Sequence, residues 1–197
     1  TPGNDDEHGW ILRILPRATQ LTRPPVANID TVLVVLAAAA PDPDALLADR
    51  LIVNARRAGL RVRLAVNKLD LDPERAAALV SQYAGAEVSP LAVSTRTGEG
   101  IDALRDSLRG SVHALAGQSG AGKSSLVNAL YCLGAETGDI SRKIERGKNT
   151  TRHCELFPLP GGGMVLDTPG FSLLETELFD PAELKGYYPE FRPYEGK

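Results

Sequence analysis

The sequence predicts an α/β fold, a mostly parallel sheet with flanking helices, and three observations carry that expectation. The run Thr31-Val32-Leu33-Val34-Val35-Leu36 is β-branched and apolar without a break, the pattern of a strand buried on both faces. Strand-like and helix-like segments alternate four times between residues 31 and 131, as parallel strands joined by helical crossovers require. The chain has 197 residues, 43% apolar and 24% charged, which is enough to bury a core of one ordinary domain.

The elements follow in order. Residues 1–25 open polar, at Gly3-Asn4-Asp5-Asp6-Glu7. They continue as Trp10-Ile11-Leu12-Arg13-Ile14-Leu15-Pro16, expected to be a strand or hairpin arm, with Arg23-Pro24-Pro25 as a connector. This stretch is too short to enclose a core and is expected to be the tail of a preceding module. After the strand at Thr31–Leu36, Pro41 to Gly59 predicts a helix with Asp42 as N-cap, Pro43 at its first position and Gly59 past its end. Val62–Val66 is a second strand, and Asp72-Pro73 opens a helix to about Tyr83, closed near Gly85. Val88–Val93 is a third strand, Ile101–Leu108 a helix, Val112–Ala116 a fourth strand, and Lys123 to about Tyr131 a helix. Residues 134–153 are polar and lack periodicity. Two strands near Cys154–Phe157 and Met164–Leu166 are joined by Pro160-Gly161-Gly162-Gly163, a hairpin connection.

Composition excludes several classes. Aromatic residues are 5% with one Trp, too few stacking platforms for a dedicated single-strand nucleic-acid binder. A net charge of -3 rules out a globally basic chain but leaves room for a local basic patch. Cys132 and Cys154 lack zinc-site spacing and cannot form a disulfide framework, so they are expected to be reduced thiols. No apolar run approaches the roughly 20 residues of a membrane span, and no secretory pattern opens the sequence. The expectation is a cytoplasmic protein with no membrane partner; since it begins with Thr1 and not Met, the chain is expected to be either a trimmed piece or the ordered part of a longer one.

The strongest chemical signal is Gly117-Gln118-Ser119-Gly120-Ala121-Gly122-Lys123-Ser124. It matches the phosphate-binding loop G-x-x-x-x-G-K-[ST] in full, between an expected strand and an expected helix. Glycines let successive N–H groups turn toward phosphate oxygens, and the helix N-terminus adds its positive dipole end. Lys123 is expected to bridge the β- and γ-phosphates and Ser124 to bind Mg²⁺. Against a Gly-rich turn as the plain alternative, a chance match in this length is on the order of 1 in 100.

Asn67-Lys68-Leu69-Asp70 follows the second strand, at the strand end where ligands bind in open α/β sheets. The Asp70 carboxylate is a two-lobed acceptor that matches the adjacent N1–H and N2–H₂ donors of guanine. Adenine has no such pair and would leave the carboxylate poorly paired, at a cost of roughly 1–3 kcal/mol. Asn67 would position the loop and the Lys68 stem would cover the base. An N-K-x-D string alone is an ordinary polar turn; beside a phosphate loop it selects guanine. Ser94-Thr95-Arg96, after the third strand, offers backbone N–H groups to the guanine O6. Asp167-Thr168-Pro169-Gly170 follows the strand at Met164–Leu166. Asp167 would hold Mg²⁺ through water and the Gly170 N–H would meet the γ-phosphate. Residues 138–153 carry five Lys/Arg against two Asp/Glu. Within them Thr151, in preference to Thr150, would complete the Mg²⁺ shell, as a switch ordered by the γ-phosphate does.

These motifs run in an unusual order, base loop first and phosphate loop afterwards, so the sequence resembles a circularly permuted GTPase. More closely, it resembles the bacterial ribosome small subunit-dependent GTPase A family (RsgA, also called YjeQ). Four stretches carry the likeness: Asn28-Ile29-Asp30-Thr31-Val32-Leu33-Val34-Val35; Gly117 through Ser124 with Ser125-Leu126-Val127-Asn128; Arg146-Gly147-Lys148-Asn149-Thr150-Thr151-Arg152-His153; and Asp167-Thr168-Pro169-Gly170-Phe171-Ser172. The resemblance implies that residues 1–25 are the remnant of an OB-fold β-barrel with its connector, that 26–178 are the permuted GTPase domain, and that 179–197 lead toward a zinc module whose Cys/His cluster this chain lacks. It implies GTP or GDP with Mg²⁺ as cofactors and, as partners, the 30S ribosomal subunit and its 16S rRNA, engaged late in 30S maturation by a monomer. Phe171 stands where a Ras-like enzyme has its water-orienting Gln. The family's suspected substitute is a His, and Asn149 occupies that position here, with Arg152 and His153 as fallback groups.

Residues and resemblance together assign nucleotide contacts to Asn67, Lys68, Asp70, Ser94, Thr95, Gly117, Gln118, Ser119, Gly120, Ala121, Gly122, Lys123, Ser124, Ser125 and Gly170. They assign metal contacts to Ser124, Thr151 and Asp167, and catalytic roles to Lys123, Thr151 and Asn149. The expected function is hydrolysis of GTP to GDP and phosphate; the alternative class is a nucleotide-gated RNA-binding adaptor with negligible hydrolysis. An ATP-using enzyme conflicts with Asn67–Asp70. Asp70→Asn is expected to relax discrimination toward xanthine, which has an acceptor where guanine has a donor. Competition of xanthosine diphosphate against GDP measures this, and an unchanged preference for GDP would contradict it.

Overall fold

A computed structural model describes residues 11–21, 26–132, 155–167 and 180–194 of the chain. β1 (Gln20–Leu21) and β2 (Val26–Ala27) form a short antiparallel pair. The main sheet has six strands: β3 (Thr31–Ala37), β4 (Arg61–Asn67), β5 (Leu91–Ala92), β6 (Val112–Gly117), β7 (Glu155–Pro158) and β8 (Met164–Asp167), in the order β5-β4-β3-β6-β8-β7. Every pair is parallel except β7 with β8, the expected hairpin, which leaves β7 as an antiparallel edge. Between strands lie α1 (Ala45–Arg57), α2 (Pro73–Gln82), α3 (Ile101–Ser107) and α4 (Lys123–Cys132).

β3 shows why its sequence has no alternation. Val32, Val34 and Leu36 pack into one core with Leu51 and Ile52 of α1 and Leu79 of α2. Leu33, Val35 and Ala37 pack into the other with Ile101 and Leu104 of α3 and Leu126 and Leu130 of α4. Both faces are covered, so every position of β3 is buried, as a central parallel strand demands.

Local chemistry sets the helix ends, with one correction. α1 begins at Ala45, not near Pro41, and its N-cap is Asp44, whose carboxylate accepts from the Leu47 N–H at 2.9 Å. Asp42, the expected cap, instead takes Arg75 Nη1 at 2.8 Å. Two Asp residues flank Pro43 and either suits a cap; the long-range ion pair engages the first. At the other end Gly59, at φ +73, is in the left-handed region. Its N–H meets Arg56 O at 2.9 Å and the Leu60 N–H meets Ala55 O at 2.9 Å, the paired bonds of a Schellman stop. α2 is capped as expected by Asp72, which accepts from the Arg75 N–H.

Two strand expectations change. The third strand shrinks from Val88–Val93 to Leu91–Ala92. Glu87 and Ser89 adopt positive φ, and Pro90 has no N–H to give a ladder. Val88 still accepts from the Leu64 N–H at 3.0 Å, so the approach is a single hydrogen bond rather than a strand. Residues 11–17 form no strand or hairpin arm, and Ile11, Leu12 and Ile14 are exposed. The helical turns Pro181–Leu184, Lys185–Tyr187 and Pro189–Tyr194 are held to the body by Arg56, whose guanidinium donates to Tyr187 O at 2.6 Å and to Ala86 O.

His113 of β6 is buried beside Thr31, its cross-strand partner. Its Nε2 lies 2.8 Å from Leu108 O, so that nitrogen carries the proton. Burial first, then the Arg63 and Arg61 charges, push its pKa below the ordinary 6.5 against the pull of the Leu108 carbonyl and Asp30. The unfolded chain therefore binds a proton that the fold refuses, and stability falls as pH drops through about 6.5. Thermal unfolding between pH 7.5 and pH 5.5 is expected to show a decline that shrinks in His113→Leu; an identical decline in the variant would contradict the assignment.

Candidate nucleotide-binding site

The strand order reverses between β3 and β6. The chain moves from β3 outward to β4 and β5, then crosses back to β6 on the other side of β3. A crevice opens at the carboxyl ends of strands at such a switch point. The phosphate loop leaves β6 there, and the Asn67–Asp70 segment leaves β4 on the same edge.

Glycine is required at two loop positions by close approach. Gly117 ends β6 opposite Val35, at φ +143, and a Cβ there would run into Val35 O. Gly122, at φ +94, would drive a Cβ into Asn67 Nδ2. Between them the chain turns on an Ala121 N–H bond to Gln118 O at 3.2 Å. The first helical bond of α4 runs from the Leu126 N–H to Gly122 O at 2.8 Å. The N–H groups of Lys123, Ser124 and Ser125 therefore precede the ladder and face outward at a positive dipole end. Ser119, Gly120, Ser124 and Ser125 are exposed, whereas Gly117 and Ala121 are buried. Lys123 Nζ arches back over the loop and donates to Gly117 O at 2.7 Å and Gln118 O at 2.9 Å. Those bonds fix the ammonium, which has three donors, over the loop's mouth.

The two recognition loops are bonded to each other. Asn67 is fully buried; its Nδ2 donates to Ala121 O at 3.0 Å and its Oδ1 accepts from the Thr95 N–H at 3.2 Å. Lys68, at φ +66, sends Nζ to Gly120 O at 2.8 Å and to Ala40 O. Asp70 accepts from Ser94 Oγ at 2.5 Å and pairs with Arg96 Nε at 2.6 Å. The Ser94 hydroxyl, followed by Arg96, holds the Asp70 carboxyl below its ordinary range, so it is an anion at neutral pH.

Several expected residues meet here and some act differently. The Ser94 N–H donates to Glu99 O at 2.9 Å, the Thr95 N–H to Asn67 and the Arg96 N–H to Ser94 Oγ, so all three backbone donors offered to a purine O6 are already engaged. Ser94 works through its hydroxyl, which also accepts from the Arg96 and Thr97 N–H groups at 3.3 and 3.1 Å. The sequence offers Arg96 only as part of a backbone-donor stretch; its side-chain pair with Asp70 is new, and an Arg two residues past the Ser is the signal for it. β8, parallel to β6, ends at Asp167 on the same sheet edge. Asn149, Thr151, Arg152, His153, Gly170 and Phe171 lie outside the described residues. No group of three or more His, Cys, Asp or Glu that could hold a metal occurs among the described residues. A phosphate-loop Mg²⁺ needs none, because it takes one hydroxyl, a carboxylate, phosphate oxygens and water.

Gly122→Ala places a side chain against Asn67 Nδ2 at a left-handed φ, two faults of about 1–3 kcal/mol each. Thermal unfolding is expected to show a stability loss of that order, and GDP titration an affinity loss of about tenfold or more; unchanged binding would contradict the brace.

Comparisons with known proteins agree with this geometry. The family model described as RsgA GTPase matches residues 14–177. The Small ribosomal subunit biogenesis GTPase RsgA of Ruminiclostridium cellulolyticum is 44% identical over 191 residues, 96% of this chain and 63% of that protein. Its counterpart from Carboxydothermus hydrogenoformans is 46% identical over 188 residues, 94% of this chain and 64% of that protein. The chain thus spans just under two thirds of the relatives it matches. The crystal structure of YjeQ from Thermotoga maritima superposes with a TM-score of 0.72 at 35% identity, covering 89% of this chain and 60% of that one. YloQ, described as a circularly permuted GTPase, superposes with a TM-score of 0.70 at 26% identity, covering 97% and 62%. With a parallel sheet in that strand order, a phosphate loop braced to an N-K-L-D loop that precedes it in the chain, and a family model spanning most of its length, this chain belongs to the RsgA GTPase family.

Proposed function

We propose that this chain binds GTP with Mg²⁺, hydrolyses it to GDP and phosphate, and acts in maturation of the small ribosomal subunit. The observation that carries the nucleotide part is the Asn67 brace, which joins the phosphate loop to the base loop through one buried amide. The ribosomal part is supported by the relatives, which are named for small ribosomal subunit biogenesis.

In this reading the N–H groups opening α4 and the Lys123 ammonium take the phosphates. Ser124 and Thr151, with Asp167 through water, would hold Mg²⁺, which would supply positive charge against that developing on the phosphates. Asp70 takes the paired donors of guanine, with the Lys68 stem along the ring. Gly170 meets the γ-phosphate. Hydrolysis needs a group that orients water; the Phe171 side chain has no hydrogen-bonding atom, so the role falls to Asn149, which positions water without acting as a base. Residues 1–25 belong to an OB-fold-like module, 26–178 to the GTPase domain and 179–197 to a linker toward a zinc module. The protein works as a cytoplasmic monomer on the 30S subunit and its 16S rRNA.

Phe171 and Asn149 favour a second reading, an RNA-binding adaptor gated by nucleotide. Phosphate release separates the two. Turnover alone is expected to be slow and to rise with 30S particles by at least about tenfold, the equivalent of ~1.4 kcal/mol in the transition state; Asn149→His is expected to raise it further. No release in a single turnover, with or without 30S, would overturn hydrolysis in favour of the adaptor.

A further inference from the structure

The shortened third strand leaves a gap at the end of the sheet away from the nucleotide crevice. β5 pairs only with Ala65 and Val66 of β4, so the amino half of β4 has no strand on its outer side. A cavity of about 290 Å³ opens there. Arg61, which lines it, opens β4 and Asn67 ends it, a separation of roughly 20 Å along the strand.

The lining is positive in a chain whose net charge is -3. It holds Arg56, Arg61 and Arg63 against Glu87, and Glu87 is drawn to Arg192 at 3.1 Å. The three arginines are not equivalent. Arg56 is committed, since its guanidinium donates to Tyr187 O at 2.6 Å and to Ala86 O. Arg61 gives one N–H to Ser111 Oγ at 3.0 Å and keeps its others. Arg63 is half-buried and has no hydrogen bond or ion pair among the described residues. Drawing a guanidinium out of water without a partner is unfavourable, and an anion in the cavity would complete it.

The backbone adds a donor. The Arg61 N–H turns inward to Asp30 O, and the Leu64 N–H turns outward to Val88 O. Alternation along the strand therefore sends the Val62 N–H outward, toward the cavity it lines. In a continued ladder its partner would be Ala86 O, which takes the Arg56 guanidinium instead. Thr31 and Ser89 bring hydroxyls to the same wall.

We infer that this cavity is a second anion site, which takes the phosphate group of a small phosphomonoester between Arg63, Arg61 and the Val62 N–H. Donors converging from two strands and a turn suit a tetrahedral group with three terminal oxygens better than a planar carboxylate. The buried Leu60 and Val62 close one side, so the recess admits the end of a small molecule. A nucleic-acid phosphodiester, extended by a sugar on both sides, needs an open groove.

Isothermal titration calorimetry with ribose 5-phosphate and with inorganic phosphate, in chloride at matched ionic strength, tests this. Lys123→Ala weakens the phosphate loop, so binding that persists in that variant belongs elsewhere. The variant is expected to take ribose 5-phosphate with a dissociation constant on the order of 1 mM, and inorganic phosphate no more tightly. In that background and in the otherwise unchanged chain, Arg63→Gln is expected to lower this affinity about tenfold or more, the scale of a charge-assisted contact. Arg63→Lys is expected to recover part of the loss. Arg61→Gln, at an exposed side chain, is expected to weaken binding about threefold or more. Arg75→Gln, which breaks the exposed pair with Asp42, is expected to change nothing. No binding of either probe to Lys123→Ala, or binding indifferent to both Arg63 and Arg61, overturns the site. A short single-stranded RNA without terminal phosphates that binds more tightly than ribose 5-phosphate, with the same dependence on Arg63, assigns the cavity to a nucleic-acid backbone and overturns the small-ligand reading.

Discussion

One buried amide organises the site. Asn67 gives its NH₂ to the phosphate loop at Ala121 and takes the Thr95 N–H with its oxygen, so three loops leaving three strands share one side chain. Such a group is costly to bury unless both ends are satisfied, and leaving one end unpaired costs about 1–3 kcal/mol. That cost makes the arrangement specific: the loops meet in the one geometry that satisfies the amide. Gly122 is part of the same constraint, because only a residue without Cβ leaves room for Asn67 Nδ2.

The sheet supplies the frame. β3 is buried on both faces and lies between β4 and β6, so the loops after those two strands flank its carboxyl end. The order in which the chain visits these strands matters little to that end, because a parallel sheet needs neighbours in space and not in sequence. A base loop that comes before the phosphate loop can build the same crevice, and YloQ, on which this chain superposes with a TM-score of 0.70, is likewise described as a circularly permuted GTPase.

The phosphate loop and the Asn67–Asp70 string were legible because each is a short contiguous pattern whose chemistry depends on its own residues. The sheet was legible for a similar reason, since β3 records its double burial in an unbroken apolar run. Part of what the sequence hides depends on distant partners, and part on local backbone geometry. Asp42 looked as good a cap as Asp44 until Arg75 engaged it. Val88–Val93 had the residues of a strand, but the positive φ of Glu87 and Ser89 keeps them from forming the ladder. Lys68 ends on carbonyls near residues 40 and 120, and Ser94 acts through its hydroxyl because the fold spends its N–H on Glu99. The Asp42–Arg75 pair and the Lys68 contacts leave no mark within a few residues of the side chain concerned.

The central claim is that a purine with two adjacent donors is read by Asp70 at one end of a site whose other end holds phosphates. Competition of unlabelled GDP and ADP for a complex with fluorophore-labelled GDP measures it most directly. The account predicts that GDP displaces the probe at concentrations on the order of a hundredfold below ADP, the discrimination expected when a buried carboxylate is otherwise left poorly paired. Equal displacement by the two nucleotides would contradict it.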